Sequence, residues 1–524
     1  MKQLILLAIL GLPVDEWSDA RKAAEAAVKN PDPSARESAA TKLGAFDRKE
    51  SVDLLLDLWA ATTRFQRELQ RIQAEKEQKA DAMPIKKKFA EHKGGVITLN
   101  ADEVKAKAEY DALLVEVREL ESKIQAEDRV RGTIRTVLSK YSSPDAVKML
   151  AAKLNLEADW SARAAAADAL GGMNSAEAKE ALRKQLPREK DPRAQMSIAE
   201  SLGRLKDTEA VGVLADALKK AEDWPVRSTI VAALRQIGDP KAIEPLIEAL
   251  KGAEGRVKDE INSALVAMTG VDKHGDHATW KDWYAGAKDA LLGGTYAKPK
   301  DGPKEEGNAT TFYGIPITSK RVCFVLDRSG SMAQKTQWKP EKKTESGSKG
   351  GDSGNEKIGD RRIDVAKYEL RNAIKGLKPD VRFNVIFFDH NWQIWVENGL
   401  ELASDNAKKR ALDFVEKCEP AGATNIFDPL ERAFQIQDVS KEAKKEKDAD
   451  MALFKNGVDT IYLMSDGMPN NGKIQEPNAI IAKVVEINKT RKVKVHTIAV
   501  GDEIRPDFMK SLAEATGGTF VHRK

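Results

Sequence analysis

Two leucine series run through the middle of this chain at a fixed period. Leu138, Leu170, Leu202, Leu234 and Leu265 follow one another at 32, 32, 32 and 31 residues, and Leu154, Leu186, Leu218 and Leu250 at 32 throughout. Two registers held over four units are not a product of chance, and a period of this length marks a repeated supersecondary unit. Each unit reads as two amphipathic helices. In one of them, Arg227 to Ile237 is the first helix, Gly238-Asp239-Pro240 the break and Ala242 to Leu250 the second helix. Asp239 suits a helix N-cap and Pro240 a first helical turn. Lys206-Asp207-Thr208 and Ser143-Pro144-Asp145 follow the same grammar. One such unit cannot bury its own apolar stripe, so the units must stack into an α-solenoid.

The pattern resembles HEAT-type repeats with a shorter period, and it is assigned to residues 129–290. An earlier unit is expected over 21–60, where Ala35 to Trp59 offers Leu43 as the equivalent leucine. Between these spans, residues 61–128 are of another kind. Phe65 to Ala90 and Val104 to Ile124 are rich in Glu, Lys, Gln, Ala and Leu, with Leu113, Leu114, Val117, Leu120 and Ile124 at helical spacing and Gly94-Gly95 between the stretches. They predict a helical hairpin, or coiled coil, whose charged face is solvated.

Trp280 and Trp283 fall in a short helix after the last repeat, and the polar, proline-containing residues 291–317 are the expected linker. From 318 to 524 the pattern changes to apolar strands alternating with helices. Strands are read at Val322 to Leu326, Val381 to Phe388, Trp392 to Val396, Thr460 to Met464, Val493 to Val500 and Thr519 to His522, and helices at Ile363 to Leu377, Ala407 to Val415, Ile480 to Ile487 and Phe508 to Ala515. This alternation predicts a doubly wound, Rossmann-like α/β domain with a mainly parallel sheet. Ligands of such sheets bind beyond the carboxyl ends of the strands.

Polar side chains gather in those places. Asp327-Arg328-Ser329-Gly330-Ser331 follows the first strand, Gly422-Ala423-Thr424-Asn425 lies in a loop between two helices, and Asp466-Gly467 follows the 460–464 strand. Asp327, Ser329, Ser331, Thr424 and Asp466 are all hard oxygen donors, a set that suits Mg2+ best, or Mn2+ or Ca2+. Any one of these turns alone is commonplace; the argument rests on the three together, in order, at strand ends.

Asp327-x-Ser329-x-Ser331, then Thr424, then Asp466 resembles the metal-ion-dependent adhesion site of von Willebrand factor A (VWA) domains, and the resemblance covers roughly residues 318–524. It implies that Ser329, Ser331 and Thr424 contact the metal directly, that Asp327 and Asp466 act mostly through water, and that a sixth position is left for a carboxylate of a partner protein. Because the direct ligands would be mostly neutral, the metal would keep positive charge and favour an acidic ligand. One departure from the family pattern is the segment from Ala333 to Asp360, rich in Lys, Gly and Ser, which separates the first motif from its helix and reads as disordered. A second charged insertion, Val439 to Gly457, follows the Thr424 loop and reads as a tolerated surface insertion.

The remaining features exclude more than they add. Lys and Arg number 86 against 82 Asp and Glu, a net +4 that implies neither nucleic acid nor an anionic membrane. Cys323 lies inside an apolar strand and reads as a core residue, and two cysteines are no disulfide framework. No nucleophile has a recognisable base or orienting partner, so an enzyme is not expected. Residues 1–20 are compatible with a secretory signal, having Lys2, the apolar run Leu4 to Leu12 and Ser18-Asp19-Ala20. A cleaved signal would make the protein secreted or periplasmic; otherwise the first amphipathic helix of a cytoplasmic protein is expected. The leading expectation is a non-catalytic scaffold, with one protein partner on the repeats and an acidic group of another on the metal. Helical repeats ahead of an A-type domain also resemble the architecture of Ro ribonucleoproteins, which bind small RNAs, and A-type domains occur as subunits of ATP-driven machines.

Overall fold

The computed structural model describes residues 14–85, 88, 98–156, 159–299, 310–337, 358–397, 399–440, 449–501 and 506–523. It contains two compact units, Met1–Ala217 with Ala232–Asp239, and Leu218–Val231 with Pro240–Lys524. The helices of the repeat region, in chain order, are α1 (Val14–Ala27), α2 (Pro33–Leu43), α3 (Lys49–Asp81), α4 (Ala101–Leu138), α5 (Pro144–Leu156), α6 (Trp160–Leu170), α7 (Ala176–Gln185), α8 (Pro192–Arg204), α9 (Val211–Lys220), α10 (Trp224–Ile237), α11 (Ile243–Ala249), α12 (Gly255–Thr269) and α13 (His277–Leu292).

The leucine registers are core positions. Leu138, Leu170, Leu202, Leu234 and Leu265 are fully buried, and Leu154, Leu186, Leu218 and Leu250 nearly so. Removing one such side chain to Ala would cost about 2–5 kcal/mol. Two arginine clasps add polar ties in the first unit. Arg163 clasps Glu189 at 2.8 and 2.6 Å, and Arg183 clasps Asp207 at 2.9 and 2.7 Å. That clasp corrects one expectation. Asp207 does not cap a helix with its side chain; the chain passes through a 3-10 turn at Thr208–Ala210, and a like turn at Pro240–Ala242 precedes α11. Ser143 does cap, its Oγ accepting from the Ala146 N–H at 3.2 Å.

The hairpin consists of α3 and α4, longer than expected at both roots. Neither Gly nor Pro interrupts Lys49–Asp81, so α3 passes through the expected boundary at residue 60, and α4 continues past residue 128 with Gly132 inside it. Leu113, Val117, Leu120 and Ile124 are buried in this pairing, as their spacing predicts, and Lys76 pairs with Glu116 across it. Asn100 and Glu103 form a capping box at the start of α4. At the root, Arg36 and Glu127 form a fully buried ion pair, and Arg36 also donates to Thr62 Oγ1 at 3.2 Å. Met1 to Leu12, the charged and apolar parts of the expected leader, lie outside the described residues. Ser18-Asp19-Ala20 sit inside α1, where Ala20 and Ala24 are buried and Trp17 meets Phe46 edge-on at 5.3 Å. A cut at Ala20 would therefore divide a packed helix.

In the second unit the α/β pattern appears close to where it was read. The strands are β1 (Thr311–Phe312), β2 (Ile315–Pro316), β3 (Arg321–Asp327), β4 (Arg382–Phe388), β5 (Trp392–Ile394), β6 (Glu401–Leu402), β7 (Thr460–Ser465), β8 (Lys494–Val500) and β9 (Phe520–Arg523), and the helices α14 (Arg362–Gly376), α15 (Asp405–Glu416), α16 (Phe427–Phe434), α17 (Ala449–Asn456), α18 (Pro477–Asn488) and α19 (Asp507–Ala515). The sheet order is β5-β4-β3-β7-β8-β9, with β6 also on β4, and every pairing among β4, β3, β7, β8 and β9 is parallel. Both faces are covered: Phe324, Leu326, Tyr462 and Leu370 belong to one apolar cluster, and Cys323, Val325, Leu463 and Phe434 to the other. Cys323 and Cys418 are both free and buried. Part of the expected linker is folded. The β1–β2 hairpin occupies 311–316, and Tyr296 OH donates to the Thr269 carbonyl at 2.9 Å; residues 300–309 lie outside the described residues. In the second insertion, α17 buries Phe454.

The amino ends of the parallel strands hold a charged cluster of buried and half-buried side chains. Glu260 of α12 accepts from Arg256 at 2.7 Å and from Lys494 of β8 at 2.9 Å. Arg256 also donates to the Asp459 carbonyl just before β7, and the Arg256 and Arg321 guanidinium carbons lie 4.9 and 5.8 Å from the Trp224 ring centroid. Burial would raise the Glu260 pKa, but Arg256, Lys494 and Ser228 outweigh it and bring it to about 2.

Candidate metal centre

β3 pairs with β4 on one side and β7 on the other, so the connections leave β3 in opposite directions. A crevice opens at such a switch point beyond the carboxyl ends of the strands. Asp327 is the last residue of β3 and Asp466 follows the last residue of β7. The fold thus delivers two carboxylates to the same crevice, and the intervening turns add hydroxyls.

Asp327 is fully buried and accepts from the Ser329 backbone N–H at 2.7 Å and from the Ser465 hydroxyl. This closes the turn and carries the Ser329 hydroxyl to 3.1 Å from that of Ser331. Ser331 in turn donates to Asp466 Oδ1 at 2.7 Å. The loop carrying Thr424 is joined to the first turn by backbone hydrogen bonds from Gly330 N to the Gly422 carbonyl (3.0 Å) and from Ala421 N to the Arg328 carbonyl (2.7 Å). Thr424 is buried, its N–H donating to Asn470 Oδ1 at 2.8 Å and its carbonyl accepting from Asn470 N at 3.0 Å. A Cβ placed on Gly467 would lie 3.5 Å from Thr424 Oγ1, an ordinary contact distance that sets the hydroxyl beside this turn. The structure therefore brings Asp327, Ser329, Ser331 and Asp466 into one hydrogen-bonded chain and sets Thr424 against the turn that follows Asp466.

Burial first, and then the charge of Asp466, push the Asp327 carboxyl up to about 7, against the hydrogen bonds from Ser465 and Ser329. Two buried carboxylates this close disfavour double ionisation unless a proton or a positive charge stands beside them. Part of that demand is met by a residue the sequence reading did not single out. Arg362, the first residue of α14, donates from Nη1 to Asp466 Oδ2 at 2.9 Å and is itself buried. The signal for it was slight: an arginine opening the first helix after the motif. Among the described residues, no three His, Cys, Asp or Glu side chains converge as a metal cluster, so a metal in this crevice would depend on hydroxyl donors. The insertion expected between motif and helix is closed at its base by Thr336 N to the Asp360 carbonyl (2.9 Å) and Arg362 N to the Gln334 carbonyl (2.8 Å), whereas residues 338–357 lie outside the described residues.

Comparison with known proteins agrees with this architecture. Residues 351–522 match the model of the von Willebrand factor type A domain, and residues 117–202 and 180–266 match that of HEAT repeats. The chain carries a VWA-type domain behind HEAT repeats. The VWA match begins after Asp327, Ser329 and Ser331, which rest on the structure and the motif. Among curated relatives, the chain is 29% identical over 149 residues to inter-alpha-trypsin inhibitor heavy chain H2 of Sus scrofa, covering 28% of this chain and 15% of the relative. It is 26% identical over 210 residues to von Willebrand factor A domain-containing protein 3A of Homo sapiens, covering 40% of this chain and 14% of that protein. The chain thus spans less than a fifth of the length of either relative. A solved von Willebrand factor type A structure from Catenulispora acidiphila aligns at 16% identity over 40% of each chain with a TM-score of 0.28. Among the described residues no helix is long and apolar enough to cross a membrane.

Proposed function

We propose that the VWA domain holds a divalent cation, Mg2+ by preference over Mn2+ or Ca2+, at Asp327, Ser329, Ser331, Thr424 and Asp466, and uses it to dock an acidic group of a protein partner. The observation that carries this reading is the Ser331 hydroxyl, 3.1 Å from Ser329 Oγ and 2.7 Å from Asp466 Oδ1 at the switch point of the sheet. Three hydroxyls and two carboxylates are hard donors that fit a small divalent ion. Ser329, Ser331 and Thr424 would face the ion, while Asp327 and Asp466 orient those hydroxyls and balance its charge. The bound ion supplies Lewis acidity toward a carboxylate oxygen. The chain's own groups bind and orient, and the domain is read as a binding module. The helical repeats serve as the scaffold and offer a second protein-binding surface.

The test is thermal unfolding of the full chain with and without millimolar MgCl2. A ligand that binds the folded state at 100 times its Kd adds about 2.7 kcal/mol. Mg2+ is expected to raise the midpoint of the wild type and to leave Ser331→Ala unmoved. Equal midpoints for the wild type in Mg2+ and in EDTA would overturn the reading.

A further inference from the structure

We propose that Arg362 sets the charge of this centre, weakening its hold on the metal while making the bound metal a better receptor for a carboxylate. The inference rests on the reading of Asp327, Ser329, Ser331, Thr424 and Asp466 as a cation site. Asp327 and Asp466 together carry two negative charges, enough to neutralise a divalent ion. Even with mostly neutral direct ligands, an ion beside those two charges would attract an acidic partner less strongly. A fixed guanidinium changes that sum. With Arg362 counted, the centre has a net charge of one minus, and a divalent ion leaves it one plus. Arginine is the one side chain whose charge cannot be removed by burial, because its pKa lies far above neutrality.

The geometry keeps Arg362 in place. Its Nη1 donates to Asp466 Oδ2 at 2.9 Å while Ser331 Oγ donates to Oδ1 at 2.7 Å, so the carboxylate is gripped on both oxygens. Arg362 begins α14, and its backbone N–H is tied to the Gln334 carbonyl at 2.8 Å. The guanidinium lies against Gly501 at the end of β8. A Cβ on that glycine would come within 2.7 Å of Arg362 Cζ, so the absence of a side chain there is what makes room for the cation. Arg362 Nε finds no hydrogen-bond partner among the described residues, although it is buried. A purely structural arginine would be expected to use its whole fork; this one directs its hydrogen bond at the carboxylate that orients Ser331.

The experiment measures two affinities on the full chain. Mg2+ binding is read by calorimetry, and acetate binding to the Mn2+-loaded protein is read by the loss of water-proton relaxation as acetate displaces metal-bound water. Arg362→Gln keeps a donor for Asp466 and removes the charge. It is expected to bind Mg2+ about tenfold more tightly and, once loaded, to bind acetate several-fold more weakly. Arg362→Lys restores the charge and is expected to return both affinities toward wild type. Arg362→Met stands in should the Gln variant fail to fold. Tighter metal with weaker acetate, reversed by Lys, supports the proposal. A Gln variant that binds Mg2+ no more tightly than wild type, or a Lys variant that behaves like Gln, overturns it while leaving the metal site intact. A wild type that takes up neither ion overturns the metal reading, and this proposal falls with it.

Discussion

The two ends of the parallel sheet handle buried charge in opposite ways. At the amino ends, Glu260 meets Arg256 and Lys494, and each charge has a partner within the unit. At the carboxyl ends, Asp327 and Asp466 share a crevice with the Ser329, Ser331 and Ser465 hydroxyls and the Arg362 guanidinium, and the balance of these groups is negative. The first arrangement is closed and contributes to holding α12 against the strands. On the proposed reading the second is completed by a cation from outside. One sheet would then carry a fixed mount at one end and a receptor at the other, and the difference would lie in whether the charges are paid for internally.

Four perturbations sharpen that contrast. The largest effect is expected at the mount. Glu260→Ala leaves buried Arg256 and half-buried Lys494 without their carboxylate and should cost about 3 kcal/mol in urea unfolding of the full chain. The Mg2+-induced rise in melting midpoint should persist in that variant. If the Mg2+ response vanishes with it, the two ends are coupled and the division is wrong.

The second perturbation is pH. His496 at the amino end is pushed down to about 3 by burial, Lys494 and Arg256, and it stacks on Tyr462 at 4.9 Å. Its contribution is fully present above the ordinary histidine range and is lost as the pH falls toward 3. Asp459 and Asp259 are raised by burial and act in the opposite sense. Asp327, raised to about 7, contributes stability below the ordinary carboxylate range, and that contribution is lost as pH rises through 7. Subtracting the metal-free stability curve from the Mg2+-loaded one cancels the amino-end groups. The remaining metal gain should grow from pH 4 to pH 7 and level off above it. A gain independent of pH would show that the metal does not displace the Asp327 proton.

Third, Gly501→Ala puts a Cβ against the Arg362 guanidinium at a backbone φ of +114°. It should cost about 1–2 kcal/mol, and its Mg2+ affinity, measured by calorimetry, should shift in the direction of Arg362→Gln. The smallest expected effect has the opposite sign. Asp327→Asn removes a buried charge from the metal-free crevice and should raise the EDTA midpoint by an amount worth about 1 kcal/mol, while abolishing the response to Mg2+. A midpoint lowered in EDTA would mean that Asp327 serves the fold more than the receptor.

The sequence made most of this α/β domain readable because apolar runs and amphipathic stretches alternate without ambiguity. The spans read for β3, β4 and β7 agree with the structure to within one residue at each end, and the leucine registers identify buried positions one by one. What escaped has local physical causes. The β1–β2 hairpin turns through Tyr313 at φ +50°, a conformation that a bulky residue rarely adopts, and Gly314 at φ +85° is a weak signal for the turn without Asn or Asp before it. α17 hides behind a run of lysine and glutamate, where Phe454 is a weak cue for a buried face. Asp207 looks like a cap in isolation, but Arg183, far off in sequence, claims its carboxylate. Asp327, Ser329, Ser331 and Asp466 were legible as a motif. Arg362 was not, because an arginine at a helix start carries no mark of which carboxylate it will meet.

The placement of mount and receptor also has a mechanical meaning. A partner tugging at the carboxyl ends would be resisted by α12 at the amino ends, so tension would run along β3, β7 and β8. Their hydrogen bonds cross that line of force and would be loaded together, in shear, with β3 and β7 in register over five residue pairs. A domain strung this way would yield late and abruptly under a pull between its poles, and would peel far more readily from its outer strand, β9.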